Sequence, residues 1–320
     1  MKRILILTAL ILAGLTGCTN DSSSSCENGC KVFTTNAINL KVACPAGAPA
    51  VSLFAHLGES NVEINAAENV QAYMTGTSDK DVVILPTNFG VNAIVNQNVE
   101  FKLAATVTFG NFFLLSTGLD DNNALDSGDK VLAFQQKGVA GKLFNYLYGD
   151  LGLDITYDAD AASVKTKILT ADSSFDYDYA LLAQPVVNAI LKNKSSYAVY
   201  SNIQEAYKTK TGGKEITQAS IFIRNTVEAE TAKAFLNTIK GDVEQLLDDT
   251  QVIVDQTSSL EEERVAAKLN VNAQAIKGLL DNGNQLGVGY KDAFTNKANI
   301  DAFLQTLGMG ATSEEIYFRS

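Results

Sequence analysis

Across 320 residues there is no tryptophan and only one histidine, His56. A single histidine does not assemble a convincing Ser-His-Asp set or Cys-His nucleophile, and the carboxylates show no pairing logic for acid–base work. It is too few for a histidine-based metal site, so no metal and no cofactor is expected. Positive charge is also scarce: 25 Lys and Arg face 36 Asp and Glu, a net charge of -11. An acidic surface disfavours nucleic acid and anionic lipid headgroups, so no nucleic-acid partner is expected. The sign of the surface does not fix the sign of a ligand. Apolar runs are short throughout. None reaches the ~20 residues that span a bilayer.

Cysteine is sparse as well. Cys26 and Cys30 enclose Glu27-Asn28-Gly29. That spacing, with no histidine after it, excludes a c-type haem attachment. A disulfide, two free thiols and a functional pair all remain open for Cys26 and Cys30. Cys44 lies in an apolar strand and reads as a small buried hydrophobe. What the chain has instead is 46% hydrophobic residues, in keeping with a well-packed globular protein. Its length favours two domains or lobes.

The chain begins with Lys2 and Arg3, an apolar run from Ile4 to Leu15, and then Thr16-Gly17-Cys18. This is a signal-peptide layout over residues 1–17. A cysteine directly after small residues resembles the lipobox of bacterial lipoproteins. The resemblance implies that Cys18 carries the lipid and becomes the mature N-terminus. The protein is then extracytoplasmic, anchored to the bacterial cell membrane by lipidated Cys18 alone. The Ser-rich stretch 18–36 reads as a flexible tether, with ordered structure from about Ala37.

From there strands and helices alternate. Ile38–Cys44, Asn61–Ala66, Asp81–Leu85, Phe101–Thr108 and Phe112–Ser116 read as strands, with helices over Ala50–Leu57, Glu68–Met74 and Val91–Asn96. After the polar stretch Gly118–Gly128 a second series begins. Lys130–Phe134, Ile155–Tyr157, Tyr177–Leu182, Tyr197–Val199 and Ala219–Ile223 read as strands, with helices near Ala140–Gly149, Ala162–Leu169 and Val186–Leu191. Everything after Glu228 reads helical. Repeated βαβ units predict an α/β protein with mostly parallel sheets flanked by helices.

Five segments, in this order, carry a family resemblance: Pro45-Ala46-Gly47-Ala48; Leu85-Pro86-Thr87-Asn88; Val131 to Gly141; Leu182-Ala183-Gln184-Pro185-Val186; and Thr217 to Arg224. The chain resembles the substrate-binding lipoproteins of ABC importers that handle nitrate, sulfonates, taurine or thiamine precursors. This implies a type 2 periplasmic-binding-protein fold, with a ligand cleft between two lobes. Lobe 1 is expected over 37–118 and 217–320, and lobe 2 over 119–216. The implied partners are a small organic or anionic ligand and the ABC permease and ATPase, with the receptor a monomer.

Ligands of open α/β sheets sit beyond the carboxyl ends of strands. Candidate contacts follow from that. Pro45, Ala46 and Gly47 offer backbone donors, or only a turn. Thr87 and Asn88 offer a hydroxyl and an amide, or only a helix cap. Phe109 and Asn111 lie between two strands read as a hairpin. Gln136, Lys137 and Gly138 precede a helix whose Gly138-Val139-Ala140-Gly141-Lys142 approaches a phosphate loop but has two residues between its glycines where four are needed. Relatives often carry Glu before Pro185; Gln184 keeps the reach and removes the charge. Thr217 and Gln218 lie at the return crossing. His56 reads as a helix-face residue without chemistry. The run from Asp120 to Asp126 misses the calcium-loop pattern. Two other functions remain in view: an enzyme of pyrimidine or thiamine-precursor type using Cys44, and a surface sensor or adhesion lipoprotein.

Overall fold

Short apolar runs build two sheets. The computed structural model describes residues 32–118, 124–171, 175–259, 268–269 and 271–319. The signal segment, Cys18, Cys26, Cys30, the tether as far as residue 31, and Asp120 to Asn123 of the acidic run lie outside the described residues.

The first sheet contains β1 (Val42–Pro45), β2 (Val62–Asn65), β3 (Val82–Pro86), β4 (Phe101–Thr108), β10 (Ala219–Arg224) and β11 (Val288–Asp292), in the order β11-β4-β10-β3-β1-β2. The second contains β5 (Phe112–Ser116), β6 (Lys130–Phe134), β7 (Asp154–Asp158), β8 (Tyr179–Ala183) and β9 (Ala198–Asn202), in the order β7-β6-β8-β5-β9. In each sheet the first strands pair in parallel, and one strand arriving from the other lobe runs antiparallel: β10 in the first and β5 in the second. The connecting helices are α1 (Ala48–Val51), α2 (Ala67–Thr75), α3 (Thr87–Gln97), α4 (Val139–Tyr148), α5 (Ala161–Thr170), α6 (Val186–Asn193) and α7 (Ile203–Lys210). Then come α8 (Ala229–Asp248), α9 (Gln251–Ser259), α10 (Ala273–Asp281) and α11 (Lys297–Thr306). Among the described residues no helix is long and apolar enough to cross a membrane.

The inner strands bury both faces, as parallel strands under helices must, while β2, β7, β9 and β11 are only partly buried. Along β3, Val83 and Leu85 enter one core while Val82 and Ile84 enter another; on β10, Phe222 faces the first and Ile221 and Ile223 the second. The first core runs on into the second sheet through residues such as Leu132 and Leu181. The second core is closed by α8, whose Ala232, Phe235, Leu236, Ile239, Val243 and Leu246 recur at helical spacing. Gly90 lets α3 sit directly on Phe222: a Cβ there would lie 2.1 Å from the ring.

Four expectations are revised. Phe112–Ser116 does not form a hairpin in the first lobe. Both edges of β4 are taken, by β10 and β11, so β5 pairs instead with β8 and β9. Residues after Glu228 are not all helical, because β11 occupies that edge of β4. Helix α7 forms where no element was expected. Residues 32–36 are docked rather than free: Phe33 is buried against Phe54, and the Gln245 side chain accepts from Thr34 N–H and donates to the carbonyl of Val32. The C-terminal segment also reaches the second lobe, where Lys142 Nζ donates to Leu307 O at 2.8 Å.

His56 lies in a buried 3₁₀ turn, Phe54–His56, rather than on the face of a longer helix. It is fully buried, with Nδ1 2.7 Å from Glu59 and Nε2 2.7 Å from Asp242 on α8. Thr35 Oγ1 stands 3.5 Å from the same Nε2, and Glu59 also accepts from the N–H of Ile38. Burial pushes the imidazole pKa down, but hydrogen bonds and charge from Asp242 and Glu59 outweigh it and raise it above the ordinary value. A raised folded pKa stabilises fully below the unfolded value, near 6.5, and is lost as pH rises through the folded value. The gap in unfolding midpoint between the native chain and His56→Gln is therefore expected to be largest near pH 6 and to shrink by pH 9. Urea melts across that range check this, and a pH-independent gap would contradict it.

Candidate functional site

Two crossings join the sheets: Phe109–Asn111, between β4 and β5, and residues 211–218, between α7 and β10. Asn111, Gln184 and Thr217 are buried here, so their polar groups must find partners without water. Gln218 N–H donates to Thr108 O at 2.8 Å, and Thr87 N–H donates to Gln218 O at 3.0 Å. Gln184 N–H donates to Asn111 O at 2.9 Å. Side chains then tie the two crossings together. Asn111 Nδ2 donates to Gln184 O at 3.0 Å, and Gln218 Nε2 donates to Asn111 Oδ1 at 3.1 Å. Gln184 Oε1 accepts from the Asn188 N–H on α6, while its Nε2 donates to Gln285 Oε1 at 2.6 Å.

Five of the expected residues, Thr87, Asn111, Gln184, Thr217 and Gln218, thus belong to one neighbourhood, with Asn88 next in the chain. Thr87 and Asn88 are not caps: α3 has Pro86 at its N-cap and no side-chain cap bond. The Thr87 hydroxyl meets Ser220 Oγ at 2.7 Å, which in turn meets Thr106 Oγ1 at 3.1 Å. Phe109 lies beside this group, with the Lys291 ammonium 5.4 Å from its ring centre and Gly289 packed against it. Gly287 has φ +63, and a Cβ there would be 2.2 Å from Gly110 O, so the loop into β11 closes directly onto the first crossing.

The other candidates stand apart. Pro45 ends β1 and Ala46 and Gly47 follow it; β1 adjoins β3, so they share the carboxyl edge of the first sheet with Thr87. The Ala46 N–H is already held by Asn65 O. Gly47 has φ +97 with open space beside it. Gln136, Lys137 and Gly138 follow β6. Gln136 lines a cavity of about 480 Å³ with Lys142, Asn145, Tyr146, Tyr157 and Thr306, while Lys137 is exposed. Gly141 serves packing, since a Cβ would fall 2.5 Å from Gln135 O. Cys44 is a poor nucleophile: it is fully buried, burial pushes its thiol pKa well up, and Sγ faces Pro45 O.

Buried polar side-chain atoms normally have partners. Among the described residues the exceptions are Asn88 Oδ1, Thr108 Oγ1, Thr217 Oγ1, Gln218 Oε1, Asp158 Oδ2 and Asn296 Nδ2. The first four all lie at the crossings. Strand pairing brings them close, because Ala219 is flanked by Pro86 on one side and Thr108 on the other. Sequence reasoning passed over Thr106, Ser220 and Gln285, and did not carry the Thr108 hydroxyl forward as a contact. The available signal was a pair of hydroxyls two residues apart in the otherwise apolar, buried β4.

No protein-family model matches the chain, and no curated protein matches it. Solved structures do. An ABC transporter protein from Parabacteroides distasonis is similar with a TM-score of 0.64 and 17% identity, over 85% of this chain and 92% of that one. The ligand-binding component of an ABC-type import system from Staphylococcus aureus, solved with zinc bound, gives 0.59 and 11%, over 88% and 96%. The periplasmic aliphatic sulphonate binding protein of Escherichia coli gives 0.57 and 12%, over 88% and 92%. With its two mixed sheets, its crossings and these neighbours, the chain has the two-lobed periplasmic-binding-protein fold of ABC-importer substrate-binding proteins.

Proposed function

We propose that this protein is the solute-binding component of an ABC importer, held outside the cytoplasm by a lipid on Cys18. The observation that carries the reading is the group of unpartnered hydroxyl and amide atoms at the crossings, where two lobes of this fold meet. A small molecule enclosed there would satisfy them, and lobe closure around it would change the surface offered to a permease. The uneven sequence at residues 1–18, charged then apolar then small, supports the anchor. The enzyme alternative finds no nucleophile in Cys44, for the reasons given above.

Candidate ligand contacts remain the loops after β1, β3, β6 and β8 and the two crossings. Pro45, Ala46, Gly47, Asn88, Phe109, Asn111, Gln136, Lys137, Gly138, Gln184, Thr217 and Gln218 are assigned to the cleft on that basis, with Asn88 and Thr217 the strongest because their polar atoms lack partners.

Thermal-shift screening against sulfonates, thiamine precursors, flavins and amino acids is expected to raise the melting temperature with at least one class, since a ligand at 100 times its Kd adds about 2.7 kcal/mol. If no class does so, the receptor reading fails. Asn88→Ala is expected to weaken that binding about tenfold while changing the free protein by under about 0.5 kcal/mol. Equal loss of both would make Asn88 a structural residue. Cys18→Ala is expected to move the protein from the membrane fraction to the soluble fraction of the native host; unchanged membrane retention would remove the lipid from the account.

A further inference from the structure

The same crossings constrain what kind of molecule the site takes, an inference that rests on the receptor reading above. The orientation of the amides there is fixed by backbone groups. Gln184 O can only accept, so Asn111 must turn Nδ2 toward it. Asn111 Oδ1 then faces Gln218, which must present Nε2. Gln218 Oε1 is left over as a buried acceptor with no donor. Likewise the Asn188 N–H can only donate, which fixes Gln184 Oε1 and sends its Nε2 to Gln285. The unmatched atoms are Gln218 Oε1, whose identity those bonds fix, Asn88 Oδ1, and two hydroxyls, Thr108 Oγ1 and Thr217 Oγ1, which can accept as well as donate.

Four backbone donors beside these loops are already committed. Thr87 N–H, in the first turn of α3, goes to Gln218 O, and Asn188 N–H, in the first turn of α6, goes to Gln184 Oε1. Before α4, Gly138 N–H goes to Gln135 O, and beside α1, Ala46 N–H goes to Asn65 O. Charge is missing too. Among the described residues the buried charged side chains are His56 and Asp242, which pair with each other. Lys291, over Phe109, is paired with Glu215. A charged ligand enclosed at the crossings would meet no buried counter-charge there and would carry an uncompensated desolvation penalty.

We infer that the cleft takes an uncharged ligand presenting two or more N–H or O–H donors, such as an amide, an amino-substituted heterocycle or a polyol, and rejects sulfonate- and nitrate-type anions. A site with buried acceptors discriminates strongly against molecules that leave those acceptors unpaired.

Thermal melting of the mature chain separates the outcomes. A library of uncharged amides, nucleobases and polyols is compared with methanesulfonate, nitrate and ethylammonium at equal concentration. Shifts from uncharged donors, with none from the ions, are expected. A shift from methanesulfonate or nitrate at least as large would overturn this inference and leave the receptor reading standing. No shift from any probe would overturn both. Thr217→Val and Thr108→Val sharpen the test, because each removes a hydroxyl that has no partner to lose. Each is expected to leave the free protein's melting temperature unchanged or higher and to weaken the Kd of the uncharged hit about tenfold. An unchanged Kd in both variants would overturn the assignment of these hydroxyls to the ligand.

Discussion

A chain of amides at the crossings holds this structure in register: Gln285 to Gln184, Gln184 to Asn111, Asn111 to Gln218, and Gln218 back to Thr87 through its carbonyl. Two sheets with separate strand orders are linked in the chain by short crossings, and what those crossings bond to helps fix the relative placement of the sheets. Polar groups sealed between hydrophobic layers are costly to leave unmatched. Here the matching is nearly complete, and the few atoms that escape it gather in one place. The same bonds that join the lobes thereby define the unsatisfied surface between them.

The chemistry elsewhere agrees with that division of labour. The charged side chains of the crossings, Lys214 and Glu215, are half-buried at most, and Glu215 pairs with Lys291. The one buried histidine binds the leading segment, the turn after the 3₁₀ helix at Phe54–His56, and α8 through two carboxylates. The remaining ion pairs lie largely at the surface, where each contributes little. The site proposed at the crossings would then draw its selectivity from hydrogen-bond matching.

Much of the fold was legible in the sequence because strands buried on both faces leave continuous apolar runs. Val82–Pro86 and Lys130–Phe134 are of that kind. Sheet membership was not legible. The destination of Phe112–Ser116 depends on β11 occupying the edge of β4, and Val288-Gly289-Tyr290-Lys291-Asp292 has too little periodicity to announce a strand. Helix α7 was hidden by its polar composition. At the candidate site, loops following strands were readable from the βα rhythm and supplied Thr87, Asn88 and Gln184, while Thr217 and Gln218 came from the family resemblance at the return crossing. The hydroxyls within strands were not, since threonine is an ordinary strand residue and only pairing shows which hydroxyl lacks a partner. The end of the tether was misplaced for a similar reason: Phe33 looks like a linker residue until Phe54 is beside it.

Closure of the two lobes on a ligand at the crossings is best measured directly as a distance. Val95 on α3 and Val199 on β9 are exposed, at 53% and 44%, and sit on different lobes. Spin labels at these positions, read by pulsed dipolar spectroscopy with and without saturating uncharged ligand, are expected to give a shorter and narrower distance distribution in the bound state. An identical distribution at saturation would show that binding, if it occurs, does not close this cleft, and would contradict the receptor mechanism.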